Sequence, residues 1–186
     1  MKTAKQDLSL FKLPKNFRTK NAFLVQFWWI IQSSIFRCSP QFMYGFRNFI
    51  LRLFGARIGK NVIIRPTVRI TYPWKVSIGD YSWIGDDVVL YSLGEIEIGK
   101  NVVISQKSYL CTGSHDYKKS TFDIYAKKII INDCCWLASD VFVAPGITIG
   151  YATVIGSRSS VYNNLPPKKV CIGTPAKVIK DREIEE

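Results

Sequence analysis

The chain has 186 residues, 47% of them hydrophobic and 22% charged, which suits one folded domain with a buried core and excludes an intrinsically disordered segment. Its net charge of +12 is unevenly spread: residues 1–60 hold eleven Lys or Arg against Asp7 alone, and the remainder holds fifteen bases against thirteen acids. Five cysteines without CxxC spacing leave no disulfide framework to expect, and the polar start has no leader-like run, so reduced thiols and a cytoplasmic setting are expected.

Residues 1–57 read as a basic, helical segment. The apolar run from Ala22 to Phe36 is fifteen residues long and is interrupted by Gln26 and Gln32. It falls short of the ~20 residues that span a bilayer, so a helix over 22–36 is expected instead. A second helix is expected over 41–54, with Phe42, Met43, Phe46, Phe49, Ile50, Leu53 and Phe54 on one stripe and Arg47 and Arg52 off it. Pro40 is placed for its start and Gly55 for its stop. Two roles fit the pair: a cap on the open end of whatever follows, or a basic amphipathic platform on an anionic membrane surface. Both can hold at once. A nucleic acid would be supported by charge alone, and none is expected as a partner.

From residue 58 onward a period of six dominates. Aliphatic residues recur at Ile58, Ile64 and Ile70, then at Ile78, Ile84 and Leu90, and then at Ile98, Ile104 and Leu110. They return at Ile131, Leu137 and Val143, and at Ile149, Ile155 and Val161. Six fits neither a helix face nor a lone half-buried strand. It fits a chain that makes one flat side and one corner every six residues, three sides to a coil, with the first members of the five triplets stacked. Seven glycines, at 59, 79, 85, 99, 150, 156 and 173, directly follow an isoleucine expected to point inward, where a corner demands a tight backbone. An ordinary sandwich rich in Ile and Val would not hold fifteen positions in phase. The β-prism is expected over 58–175, with a tail at 176–186.

The phase breaks once at length, between Leu110 and Ile131, so an excursion loop is expected over 111–130. It carries His115, the sole histidine. Imidazole accepts a proton at neutral pH without special tuning, its free pKa being ~6.5, and a loop on a rigid scaffold positions such a group well. Asp116 is a candidate to orient the ring. Asp86 and Asp87, on the coil below, are candidates to bind an acceptor, with solvated corner acids as the plain alternative for all three. One His and no CxxC leave too few ligands for catalytic zinc, so no metal is expected. No GxGxxG, Walker loop or GxSxG is present.

Five segments carry a resemblance: Phe36-Arg-Cys-Ser-Pro40, Arg52-Leu-Phe-Gly-Ala-Arg-Ile-Gly59, Ile78-Gly-Asp-Tyr-Ser-Trp-Ile-Gly85, Leu110-Cys-Thr-Gly-Ser-His-Asp-Tyr117 and Gly173-Thr-Pro-Ala-Lys177. Across nearly the whole chain the sequence resembles the hexapeptide-repeat acetyltransferases, above all those that O-acetylate colanic acid and related exopolysaccharides. The resemblance implies an all-β left-handed parallel β-helix, a homotrimer with sites between subunits, and acetyl-CoA as co-substrate. His115 matches the family's catalytic base. Trp136, Ser139, Ser157, Asn163, Lys177 and Lys180 match its acetyl-CoA contacts. Two departures weaken that set: Tyr162-Asn163-Asn164 stands where relatives often have Thr-Lys-Asp, and Trp136-Leu-Ala138 where many have Trp-Ile-Gly. The implied activity is acetyl transfer to a sugar hydroxyl, on a small or lipid-linked saccharide acceptor. N-acetylation of an amino sugar or small amine is the nearest alternative, and a silent membrane-associated β-helix is the non-enzymatic one.

Overall fold

A computed structural model describes residues 6–15 and 17–184, and in it the six-residue phase becomes three parallel sheets wound into a solenoid. The first sheet aligns Ile58, Ile78, Ile98, Ile131 and Ile149 in one register. The second aligns Ile64, Ile84, Ile104, Leu137 and Ile155. The third aligns Ile70, Leu90, Leu110, Val143 and Val161. All fifteen side chains are buried in one continuous core. Each therefore rests on its counterparts in the adjoining coils, which is why a single residue class recurs down each row.

Two details of the prism differ from the sequence reading. The second sheet gains a sixth row at Cys171, whose strand pairs beside Ile155, and Leu165 bridges to Ile149. Cys171 is buried while Ile172 faces outward, so Gly173 does not follow an inward isoleucine. The corners also divide their work between two residues. A Cβ on Gly79 would lie 2.6 Å from the backbone of Gly99, so glycine is required there for the close approach of coils. The left-handed backbone falls two residues later, on Tyr81 at φ 60°. Gly85 and Asp87 repeat the pattern, with Asp87 at φ 56°.

Coil one has no coil beneath it, so its edge presents unpaired backbone groups that need partners. The helices supply them. We label Ala22–Ile31 α1, continued by a wider turn over Gln32–Phe36, and Tyr44–Leu53 α2. Trp28 Nε1 donates to Ile70 O at 2.8 Å, and Gln32 Oε1 accepts from Ile70 N–H at 2.6 Å. Arg47 Nε donates to Ile64 O at 2.7 Å, Asn48 Nδ2 to Val62 O at 2.8 Å, and Arg52 to Ile58 O at 2.9–3.0 Å. The capping role is thus met on all three sides of the prism.

That role splits the expected stripe of α2. Ile50 is buried and Phe46 and Phe54 pack against the core, and Arg47, Asn48 and Leu51 also point inward, while Phe49 and Leu53, with Phe42 ahead of the helix, are exposed. Arg47 is completely buried, and burial pulls its pKa down from the usual guanidinium value. Three carbonyls and the Ser39 hydroxyl nevertheless occupy its donors. The helix starts at Tyr44, not near Pro40, whose carbonyl accepts from Arg47 and from Met43 N–H. Beyond the prism, residues 176–181 form a strand that turns back antiparallel on Lys169–Gly173, where only a tail was expected. None of the helices among the described residues is long and apolar enough to cross a membrane.

Candidate active site

The excursion between Leu110 and Ile131 folds into a small antiparallel hairpin, Gly113–His115 against Ile124–Ala126. It leaves the third sheet through Tyr109–Cys111 and rejoins the first at Ile129, so it stands on the corner between those two sheets. Its base is fastened by Lys127 N–H to Thr112 O at 2.8 Å, and its tip by Asp116 N–H to Asp123 O at 2.8 Å. Gly113 lies flat against Leu93, where a Cβ would meet the leucine at 2.6 Å. The N-terminal segment reaches the same hairpin, with Asp7 N–H donating to Ser120 O at 2.8 Å.

His115 ends the first strand of the hairpin, half-buried. Its Nδ1 lies 2.8 Å from Phe122 O. A carbonyl oxygen can only accept, so Nδ1 carries a proton, and in the neutral ring the lone pair is then on Nε2. The Phe122 ring stacks on the imidazole with centroids 4.3 Å apart and an interplanar angle of 10°, and Phe11 approaches at 6.2 Å. Phe122 does this from φ 49°, a left-handed conformation unusual for a bulky residue. Sequence reasoning missed both phenylalanines, since neither a ring stack nor a strained backbone leaves a mark in composition or period.

The orienting partner of the ring is therefore a backbone carbonyl. Asp116 does not reach it; its Oδ1 accepts from Lys118 N–H at 3.1 Å and shapes the turn. Asp86 and Asp87 lie one corner away, between the second and third sheets. Asp86 pairs with Arg65 at 2.8 Å and accepts from Thr67 Oγ1 at 3.1 Å, and Asp87 N–H donates to Thr67 Oγ1 at 2.9 Å. The carboxylates of Asp86 and Asp116 thus have local work in a corner and a turn, and Asp87 takes part in the corner through its backbone N–H.

The residues matched to acetyl-CoA contacts gather elsewhere on the prism. Trp136 stands half-exposed on the second sheet, its Nε1 donating to Ser105 Oγ at 3.0 Å. Through Val154 and Val170 it shares one row with Lys180, and Lys177 lies on the same outer strand. Ser139 and Ser157 sit on adjacent coils at the corner that follows this sheet, where Arg158 N–H donates to Ser139 O. Lys177 and Lys180 are exposed and pair with no carboxylate among the described residues, which leaves both ammonium groups for an anionic ligand such as a phosphate. Asn163 is apart from them, beyond the third sheet. His115 and the Trp136–Lys180 row therefore occupy different edges of one chain.

Thiol chemistry is not offered beside the imidazole. Burial raises the Cys111 pKa, and its Sγ donates to Gly113 O at 3.1 Å. Burial pushes the Cys135 thiol up to about 11. No group of three or more His, Cys, Asp or Glu able to hold a metal occurs among the described residues.

Comparison with known proteins follows the same lines. No protein-family model matches the chain. Over 177 residues, 95% of this chain and 97% of the other, it is 63% identical to a protein of Escherichia coli (strain K12) with the provisional name colanic acid biosynthesis acetyltransferase WcaF. It is 28% identical to the galactoside O-acetyltransferase of the same organism, covering 73% of this chain and 68% of that one. Among solved structures, a maltose O-acetyltransferase from Clostridium difficile 630 superposes with a TM-score of 0.79 at 29% identity, over 88% of this chain and 90% of the other.

Proposed function

The chain belongs to the hexapeptide-repeat acetyltransferases, and from that premise we propose that it moves the acetyl group of acetyl-CoA to a hydroxyl group of a sugar in polysaccharide biosynthesis. The observation that carries the reading is the imidazole itself. With Nδ1 on the Phe122 carbonyl, Nε2 is the ring nitrogen left for an acceptor hydroxyl, on the hairpin that interrupts the prism. His115 Nε2 takes the proton from the acceptor hydroxyl as its oxygen attacks the thioester carbonyl. The tetrahedral intermediate collapses, the acetyl ester forms, and the coenzyme leaves as its thiol. A positioned base of this kind contributes typically ~10²–10⁴-fold. Transfer is direct in this reading: Cys111, the thiol on the strand that leads into the hairpin, donates to Gly113 O, and burial raises its pKa, which disfavours it as an acetyl carrier.

The separation of His115 from the Trp136–Lys180 row supports a shared site, in which one subunit lends the hairpin and its neighbour the donor-binding face. A homotrimer of parallel prisms meets that need, since cyclic symmetry brings one edge of each chain against a different edge of the next. Trp136, Ser139, Ser157, Lys177 and Lys180 then bind the coenzyme, the lysines at its phosphates. Asn163 replaces a lysine at the end of that path and contributes no charge. A cytoplasmic location fits a donor made there and five free thiols. The acceptor is a small or lipid-linked saccharide presented at the inner face of the membrane.

Incubation with acetyl-CoA and a panel of lipid-linked and nucleotide-linked sugars tests the reading. The expected result is stoichiometric thiol release with a product gaining one acetyl group that mild hydroxylamine removes. A hydroxylamine-stable product would transfer the reading to N-acetylation. Absence of turnover with every acceptor would support a silent β-helix.

A further inference from the structure

The capping of coil one uses only the inner faces of the two helices, and the outer faces are conspicuously apolar. On α1, Phe23, Phe27 and Ile30 follow one another at helical spacing and are 81%, 45% and 62% exposed. Beside α2, Phe42, Phe49 and Leu53 are 78%, 55% and 67% exposed. The two stripes adjoin, since the rings of Phe27 and Phe54 lie 5.7 Å apart. Nothing in the cap requires them. The carbonyls of Ile58, Ile64 and Ile70 are already satisfied from the inside by Arg52, Arg47 and Trp28. An apolar patch of this size on the end of a molecule marks an interaction surface.

Charge identifies the partner. Among residues 6–60 the exposed bases are Lys12, Lys15, Lys20, Arg37, Arg52, Arg57 and Lys60, and Asp7 is the only acid. A second copy docked on the same face would bring like charge against like charge. An anionic lipid surface supplies both what the bases and what the phenylalanines lack. We propose that the outer faces of α1 and α2 form a docking surface for an anionic bilayer, with Phe23, Phe42 and Phe49 seated at the acyl boundary and Lys20, Arg37 and Arg52, in or next to the helical segments, among the headgroups. Because the helices close one end of the solenoid, a bilayer held there leaves the hairpin and the donor-binding row uncovered. In a parallel trimer all three such faces lie on one side. The inference takes its purpose from a membrane-borne acceptor but its evidence from the exposed face, so the two can fail separately.

The test is co-flotation of the full chain with vesicles of phosphatidylglycerol and phosphatidylethanolamine, or of phosphatidylcholine alone. Binding to the anionic vesicles is expected to exceed binding to the neutral ones at least about tenfold and to fade as salt is raised. Phe23→Ser/Phe42→Ser/Phe49→Ser should weaken binding by at least about tenfold through lost acyl contact. Lys20→Gln/Arg37→Gln should weaken it likewise at low salt. Transfer to a soluble acceptor should stay unchanged in both. Equal binding to the two lipids, or binding to neither, overturns the proposal. So does a smaller oligomer in the serine variant, which would make the face a subunit contact. Hydrogen exchange on the unaltered protein guards against misfolded variants: anionic vesicles should slow exchange across residues 22–54, and unchanged exchange there contradicts the docking. Loss of acetyl transfer with vesicle binding intact would count against the proposed activity and leave the surface standing.

Discussion

The fifteen stacked positions of the prism and the hairpin between Leu110 and Ile131 are built on opposite plans. In the prism each residue has counterparts in the adjoining coils, every row is one residue class, and the burden of stability is shared along the whole stack. In the hairpin nothing is repeated. His115 is held by one carbonyl, stacked on one ring and braced by a few hydrogen bonds at base and tip. Under the proposed function, the repeat supplies rigidity and its single interruption supplies the chemistry. Changes in the first should act on the fold, and changes in the second on the reaction.

The largest effect is expected from Ile98→Asp. Ile98 is 3% exposed and pairs in register with Ile78 and Ile131, so a carboxylate there has no partner and costs several kcal/mol, on the order of a small domain's whole stability. The variant should be recovered unfolded or aggregated, and a folded one with an unchanged melting curve would break the comparison on the prism side. His115→Ala is the counterpart. Acetyl transfer should fall ~10²–10⁴-fold, while stability changes by less than about 1 kcal/mol. Initial rates and thermal melts on the same sample read both numbers.

The comparison is sharpened where cap and prism meet. Arg47→Met removes four hydrogen bonds from the buried side of α2, including the one to Ile64 O, and should cost about 2–4 kcal/mol. Hydrogen exchange should show coil one opening while the later coils keep their protection. The smallest effect belongs to Asp116→Asn. With its carboxylate on Lys118 N–H, the change should alter the rate by less than about threefold, or about 0.6 kcal/mol of barrier. A loss comparable to that of His115→Ala would make Asp116 the orienting group after all.

These outcomes bear on what a sequence can disclose. The prism was legible because its geometry forces one residue class every six positions, and all fifteen landed inside. Its last row was not, because Leu165 follows Val161 after four residues and the next inward residue is Cys171, outside the aliphatic class. The helices were legible as elements, but the stripe of α2 was only half right: Phe46, Ile50 and Phe54 pack on the core, whereas Phe42, Phe49 and Leu53 do not. An apolar stripe normally marks the buried face, yet the edge of coil one offers carbonyls and rewards the N–H donors of Arg47, Asn48 and Arg52 instead. At the candidate site, His115 stood out by being the only imidazole on the only long excursion. Phe122 did not, since its contribution is a carbonyl that every residue has and a backbone conformation that its type disfavours.

The central claim is that the hairpin of one chain works with the donor-binding face of another. His115→Ala lacks only the first and Trp136→Ala/Lys180→Ala only the second, so each alone should be nearly inactive. Co-folding the two in equal amounts measures the claim directly. In a cyclic trimer with sites between subunits, every mixed assembly holds one intact pairing, and activity should return to about a quarter of the unaltered enzyme's. Mixed assemblies that form and remain as inactive as either variant alone would contradict the shared site and return all the chemistry to a single chain.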